Sequence, residues 1–373
     1  MKTIDPRRAA LVVWSNSKRW VALCLAMAGL GLSAGMAQTP GSELPTGYSD
    51  IAVAAGSGTA KKTTLISIPM LEDLPAEFSG SKTGRITAVS SDSVTVAGAG
   101  WTAGALSTAA APYFIEITSG VAQGHLLLIS SAKANTTDTV TIDSGELSRV
   151  GSVTALGIST EAGSGDTFRI WPADTLGSFF GTPETTGIQG GASAATADTV
   201  TVVVGGSAAT YFYNTAATPP RWSRVGLGGG TDAFNVVIPP YGGVQYARLA
   251  ATPLQFRVLG RMPVGSRKVA IKNAGTTLLS PYWPVNQTLA SLELHNLPGW
   301  QSGSSSSSAD TVVLTSNGSA STFFHDGTNW RRVGLGGGNA NSTVVPAGAS
   351  VLINKRGSAP GFTTYQHTSP YSL

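Results

Sequence analysis

The chain has 373 residues, of which only 12% are charged and 46 are glycine. Five basic residues and one acid lie within the first 19 positions, which leaves 19 basic and 19 acidic residues in the rest of the chain. That length has room for two or three domains with sizeable cores. The neutral remainder excludes the electrostatic case for nucleic acid or an anionic membrane as a partner.

Residues 1–37 have the pattern of a secretory signal peptide with a signal helix. Lys18 and Arg19 precede an uncharged apolar run at 20–32, and small residues around Ala37 offer a cleavage site. A retained membrane anchor is the alternative, but the run is shorter than the roughly 20 residues a span requires. Cys24 is the only cysteine, so the mature protein would have no disulfide bond. We therefore expect secretion across the inner membrane, to the periplasm, the cell surface or the medium.

Residues 38–160 form the first predicted β-rich region. Short β-branched runs alternate with Gly, Ser, Asn and Asp, which favours strands joined by turns. The predicted strands are 65–68, 85–89, 93–96, 113–117, 125–129 and 139–142.

An internal repeat occupies the rest of the chain. The string WSRVGLGGG at 222–230 returns as WRRVGLGGG at 330–338, and ADTV at 197–200 returns at 309–312. Equal spacing, with length changes in the turns, indicates a folded unit that was duplicated. We place the two copies at 161–262 and 263–373, each a β-sandwich or a small barrel-like module, so the fold class is all-β.

Each copy has the same predicted strand order. First strands start at Asp198 and Asp310, second strands at Thr210 and Thr322, and third strands at the tryptophans. In the second copy an Asp-Gly pair at 326–327 predicts a tight turn. The Trp-Pro pairs at 171–172 and 283–284 precede segments that fit short helices or turns, capped by Asp174 and Asn286.

A family resemblance follows from these segments together. GYSDIAV near the mature start, TLISIP, YFIEITSG, the Trp-Pro segments, ADTV with its aromatic triplet and W-x-R-V-G resemble an uncharacterised family of secreted bacterial β-rich proteins. The resemblance implies export and this organisation. It implies no activity, cofactor or site.

No motif for catalysis is present, so we expect no enzyme activity, cofactor or metal. The glycine runs lack G-x-G-x-x-G spacing, no serine lies in G-x-S-x-G, and the four histidines have no metal-ligand spacing. Asp198 and Asp310 recur in both copies and could flank a glycosidic bond. We favour a turn-closing role, in which Asp bonds nearby backbone.

Repeated aromatic residues give the candidate ligand site. A flat ring offers dispersion contacts to a sugar, but alternation along a strand turns one face of each sheet inward, so core packing is the alternative that we favour for the tryptophans. The candidate platform consists of Tyr211, Tyr213, Trp222, Phe323, His325 and Trp330.

The sequence therefore predicts an exported, non-catalytic protein of the cell envelope or extracellular space with a structural or adhesive role. A carbohydrate-binding module is the alternative, and an outer-membrane barrel or an enzyme with an unrecognised site is the third class. Polysaccharide or other envelope proteins are the expected partners, with no transmembrane span after cleavage. Residues 39–196 carry 7 basic and 14 acidic groups, and residues 197–373 carry 12 and 5. We favour compositional drift on a solvated surface as the reason, with electrostatic self-association as the alternative.

Overall fold

A computed structural model describes residues 44–204, 207–227 and 230–371. Strands account for 39% of the chain and helices for 7%, which confirms the all-β class. The predicted signal peptide and its helix lie outside the described residues. In the described part, no helix has both the length and the apolar character needed to cross a lipid bilayer.

Twenty-four strands and three short α-helices are described. The strands are β1 (Thr46–Val53), β2 (Lys62–Ile66), β3 (Thr83–Arg85), β4 (Ala88–Val89), β5 (Ser93–Thr95), β6 (Ser107–Thr108), β7 (Ala111–Ile117), β8 (Leu126–Leu128), β9 (Thr139–Thr141), β10 (Thr167–Pro172), β11 (Thr199–Val204), β12 (Ser207–Asn214), β13 (Arg221–Arg224), β14 (Val244–Arg248), β15 (Leu254–Arg261), β16 (Ser266–Lys272), β17 (Ala274–Leu279), β18 (Gln287–Thr288), β19 (Thr311–Ser316), β20 (Ser319–His325), β21 (Trp330–Arg332), β22 (Val344–Val345), β23 (Val351–Arg356) and β24 (Phe362–Thr368). The helices are α1 (Ser144–Val150), α2 (Leu176–Phe180) and α3 (Pro183–Thr186), with 3-10 turns at Thr154–Leu156 and Leu294–Asn296.

Two five-stranded antiparallel sheets have the same strand order. The first runs β13-β12-β11-β14-β2 and the second runs β21-β20-β19-β23-β17. Equivalent residues face each other in both: Tyr213 pairs with Trp222 and His325 with Trp330. The first, second and third strands of each predicted copy therefore lie side by side, and neither strand order closes into the predicted barrel-like module.

The outer strand of the first sheet comes from far upstream in the chain. This outer strand is β2, which pairs with β14. The equivalent outer strand of the second sheet is β17, which pairs with β23 and directly precedes the other strands of that sheet in the sequence. The other edge of β2 meets the second sheet, because Ser67 N–H donates to Gly348 O at 2.8 Å and Ser350 N–H donates to Leu65 O at 3.2 Å. One short strand thus joins the two sheets.

The N-terminal region forms a third body of strands. β3, β10, β7, β6 and β8 make one sheet and β4, β5 and β9 another, around a core that includes Trp101, Phe168 and Ile115. β10 begins after the predicted boundary at residue 160, yet it pairs with β3 and β7. β1 likewise pairs with β15 of the first copy, and β16 pairs with β24. The domain boundaries stay a prediction.

The capping residues of the segments that follow the Trp-Pro pairs differ from the prediction. Thr175, and not Asp174, caps α2: its hydroxyl accepts from Ser178 N–H at 3.1 Å, while Ser178 Oγ accepts from Thr175 N–H at 2.8 Å. Thr288 and Ser291 exchange the same two bonds in the second copy, where a turn forms and no α-helix follows at once. Asn286 instead accepts a hydrogen bond from Ala347 N–H.

Candidate functional site

The candidate platform of the first copy lies inside its core. Trp222 is 2% exposed, and its indole N–H donates to Gly181 O at 2.9 Å. Phe180 packs against the same indole with ring centroids 6.0 Å apart. Tyr211 is also buried, and Tyr213 is half-buried with its ring 6.0 Å from that of Trp222.

The equivalent residues of the second copy are buried as well. Trp330 is 1% exposed, and Phe323 and His325 are covered too. His325 stacks on His295 with ring centroids 4.3 Å apart, and Trp300 packs edge-on against Trp330. The structure therefore gathers the predicted residues into two cores. A sugar stacks on an exposed ring face, so these burials fit the core-packing alternative.

His325 lies close to a serine hydroxyl, as in a nucleophile-base pair. Ser302 Oγ is 3.2 Å from His325 Nδ1, but Gly327 N–H also donates to that nitrogen at 3.2 Å. Burial, together with His295, lowers the pKa of His325 below its ordinary value. The neighbouring carboxylate of Asp326 accepts from the backbone of Thr328 and Asn329. The arrangement closes the predicted Asp-Gly turn between β20 and β21.

Asp198 and Asp310 join distant parts of the backbone. Asp198 accepts from Gln189 N–H at 2.8 Å and Leu249 N–H at 2.7 Å, and Asp310 accepts from Gln301 N–H at 2.9 Å and Arg356 N–H at 2.7 Å. Both carboxylates are buried, and each of their oxygens accepts a backbone hydrogen bond, which fits a structural role over a pair flanking a glycosidic bond. Each carboxylate ties the backbone of a preceding loop to the end of a later strand, whereas the sequence predicted a bond to nearby backbone only.

Two further side-chain bonds hold Asp198, and they have no counterpart at Asp310 among the residues that the structure describes. Arg248 Nη1 lies 2.6 Å from its carboxylate, and Tyr246 O–H donates to it at 2.7 Å. Ile353 occupies the position of Tyr246 in the second sheet.

The repeated string continues beyond each tryptophan into an exposed turn. Val225 N–H donates to Thr210 O, and Val333 N–H donates to Thr322 O, so the third strand of each sheet ends alike. Leu227 N–H then reaches back to Arg224 O at 3.5 Å. Leu335 N–H reaches Arg332 O at 3.4 Å in the second copy.

Glycine is required inside both turns for a conformational reason. Gly226 has φ 85° and Gly334 has φ 83°, at the third position of a turn that needs positive φ there. A Cβ at either residue would meet no other atom within 4 Å. Close packing therefore does not explain these glycines, and the turn geometry does.

The side chains of the two turns face solvent. Val225 is 42% and Leu227 64% exposed, against 44% for Val333 and 61% for Leu335. An exposed arginine, Arg224 or Arg332, opens each turn. We call the segments 224–227 and 332–335 the RVGL turns. Sequence reasoning missed these exposed apolar pairs, although the identical Val and Leu in two glycine-rich loops were the available signal.

The described residues contain no group of three or more His, Cys, Asp or Glu side chains that could hold a metal ion. No family model, curated protein or solved structure matches this chain. The resemblance to a family of secreted bacterial proteins stays a prediction.

Proposed function

We propose that the protein is an exported, non-catalytic protein of the cell envelope or extracellular space, and that it adheres to its partner through the two RVGL turns. The turns carry this proposal because their side chains are nearly identical in both copies and face solvent in both. Burial would account for repeated Val and Leu in a core. It does not account for them here, and repeated exposed apolar groups are typical of contact sites.

The proposal includes the duplication of one pleated unit. Equal strand order in the two five-stranded sheets, the shared register of their second and third strands, and the similar edge strands TTLI at 63–66 and TTLL at 276–279 support it. Two equivalent contact points make binding bivalent when the partner is repetitive, as a polysaccharide or an envelope protein lattice is. The leader pattern and the neutral remainder support export and argue against nucleic acid.

Substitution of the exposed leucines tests the proposal. Leu227→Ser and Leu335→Ser, singly and together, are expressed in a host that exports the chain, and the protein is measured in the cell-bound and released fractions. The double variant should be mostly released, and each single variant should be released in part, because one turn still holds.

The matched control is Leu259→Ser, an equally exposed leucine on β15. Retention of the double variant at the level of this control would contradict adhesion through the turns. Recovery of the unaltered chain in the cytoplasm would contradict export.

A further inference from the structure

A cavity of about 450 Å³ lies beside the ribbon formed by β16 and β24. It is bounded by the end of α1, the 3-10 turn at Thr154–Leu156 and the loop that follows β7. This volume lies in the range of about 300–1,000 Å³ typical of small-molecule sites. The polar, charged and aromatic residues of its lining are His125, Arg149, Lys268, Phe362, Thr364 and Gln366.

Strand alternation places the lining side chains. Along β24, Phe362, Thr364 and Gln366 share one face of the ribbon, while Tyr365 lies buried on the other. Along β16, Lys268 points outward between the buried residues Arg267 and Val269. The ribbon thus presents a cation, two polar groups and one aromatic ring to the same cavity.

The charged residues that line the cavity are all basic. Arg149 Nη2 lies 3.4 Å from Glu146 Oε2, and its guanidinium stands over the Tyr241 ring at 3.9 Å. Lys268 Nζ donates to Val121 O at the rim. These contacts hold both cations in place, so they are ordered before any ligand arrives.

His125 lies in the lining of the cavity, near both cations. Burial, together with the positive charges of Lys268 and Arg149, lowers the pKa of His125 to about 4. The histidine is therefore neutral at ordinary pH, and the cations that disfavour its protonation would favour an anion placed between them.

A smaller cavity of about 40 Å³ continues from the first. The two share Arg149 and Phe362, and the smaller one is also lined by Lys272, Thr276 and Thr277. Basic and hydroxyl side chains of β16 and β17 therefore line the smaller cavity.

We propose that this groove binds a carboxylated sugar, such as a uronate residue of an acidic polysaccharide. The carboxylate would pair with Arg149 and Lys268, the hydroxyls would bond Thr364 and Gln366, and the C–H face of the ring would lie on Phe362. The inference names a ligand class for the adhesive protein proposed above, and it rests on that proposal for its access to extracellular polymers.

Titration calorimetry of the full chain with trigalacturonate, at low salt, tests the groove. Binding should be at least about tenfold tighter than that of the neutral trigalactose, since charge-assisted hydrogen bonds are the strong ones. Competition by inorganic phosphate or acetate as effective as trigalacturonate would overturn the sugar class. Equal binding of the neutral oligomer would overturn the role of the cations.

Three variants locate the binding. Lys268→Gln should weaken trigalacturonate binding about tenfold. Arg149→Gln removes a cation that is paired with Glu146, so circular dichroism must first confirm that this variant folds. If Arg149→Gln unfolds, Lys268→Gln alone still tests the groove. Lys133→Gln removes the same charge from an exposed site beside Asp92, and should leave binding unchanged.

Equal losses for Lys268→Gln and Lys133→Gln would indicate attraction by net charge alone and overturn the groove. The double variant Leu227→Ser/Leu335→Ser separates the two proposals. Normal trigalacturonate binding by that variant, together with its release from cells, supports both. If the double variant lost trigalacturonate binding, the groove would not be the binding site.

Discussion

The first and second copies place a tryptophan at the same register of the same sheet and surround it differently. Trp222 packs against Phe180 and donates to Gly181 O, whereas Trp330 packs against His325, His295 and Trp300. Among the described residues the indole nitrogens of Trp330 and Trp300 and the Nδ1 of His295 have no hydrogen-bond partner. A buried polar atom without a partner costs free energy. The shared strand pattern therefore fixes the position of the tryptophan ring, and the residues around the ring determine whether its indole nitrogen has a hydrogen-bond partner.

The two aspartates should show the largest difference between the copies. Asp198→Ala leaves Arg248 buried without its carboxylate and should cost about 3–5 kcal/mol of unfolding free energy. Asp310→Ala removes only two backbone bonds, so we expect a loss of about 2 kcal/mol. Urea unfolding followed by tryptophan fluorescence measures both. Asp92→Ala on the surface is the control, and equal losses at Asp198 and Asp310 would remove the asymmetry.

Replacement of each tryptophan by phenylalanine should give a smaller difference. Trp222→Phe leaves the carbonyl of Gly181 without its donor, while Trp330→Phe removes an N–H that has no described acceptor. Both variants lose volume, so the first should be less stable than the second by about 1 kcal/mol. Differential scanning calorimetry compares the two. A larger loss from Trp330→Phe would show that its nitrogen has a favourable contact.

Acid should destabilise the second copy through His325. Its folded pKa lies below the ordinary value of 6.5, mainly because of burial. The unfolded chain therefore binds the proton more readily, and this contribution to stability is complete above about pH 6.5 and decreases as the pH falls below it.

Thermal unfolding measured between pH 7.5 and pH 5 checks the sign. His325→Phe should lose less stability across this window than the unaltered chain. Tyr213→His in the first copy should lose more, because it adds a half-buried imidazole at the equivalent position. His125 and His367 also have lowered pKa values and remain in every variant, so only differences are compared. Parallel curves for all three proteins would exclude His325 as a source of acid sensitivity.

The smallest effects should fall on the RVGL turns and should be equal. Gly226→Ala and Gly334→Ala force a side chain into positive φ, which should cost about 1 kcal/mol each. Gly338→Ala is the control, because its φ is not in that region and its Cβ would have open space. Chemical denaturation measures all three. Unequal costs at the two turns would mean that the copies end their third strands differently.

Sequence pattern predicted the strands of each copy because alternation and turn residues act locally. The strands predicted from Asp198 and Asp310 begin one residue later, at Thr199 and Thr311, and the tryptophan strands and the Asp-Gly turn are confirmed. The cap of α2 was missed by one residue, since Asp and Thr are both good caps and only the reciprocal bond with Ser178 selects Thr175.

The sequence pattern could not predict which distant strands pair or which side chains are buried. TTLI at 63–66 resembles TTLL at 276–279, but nothing local to either string shows that each is the outer strand of a sheet. Alternation assigns two faces to a strand without saying which face is covered. The burial of Trp222 and the exposure of Leu227 follow from the packing of elements distant in sequence. The cationic cavity likewise needs β16, β24 and α1 together.

The position of β2 makes the two copies unequal as segments of chain. Residues 274–356 contain every strand of the second sheet. The strands of the first sheet lie within residues 62–248, and the strands β3–β10 of the N-terminal body come between β2 and β11 in the sequence. Such a non-local arrangement has a high contact order and slows assembly. Proteolytic removal of the chain up to Ile66 would uncover the backbone donors and acceptors of β14, a row that invites edge-to-edge aggregation.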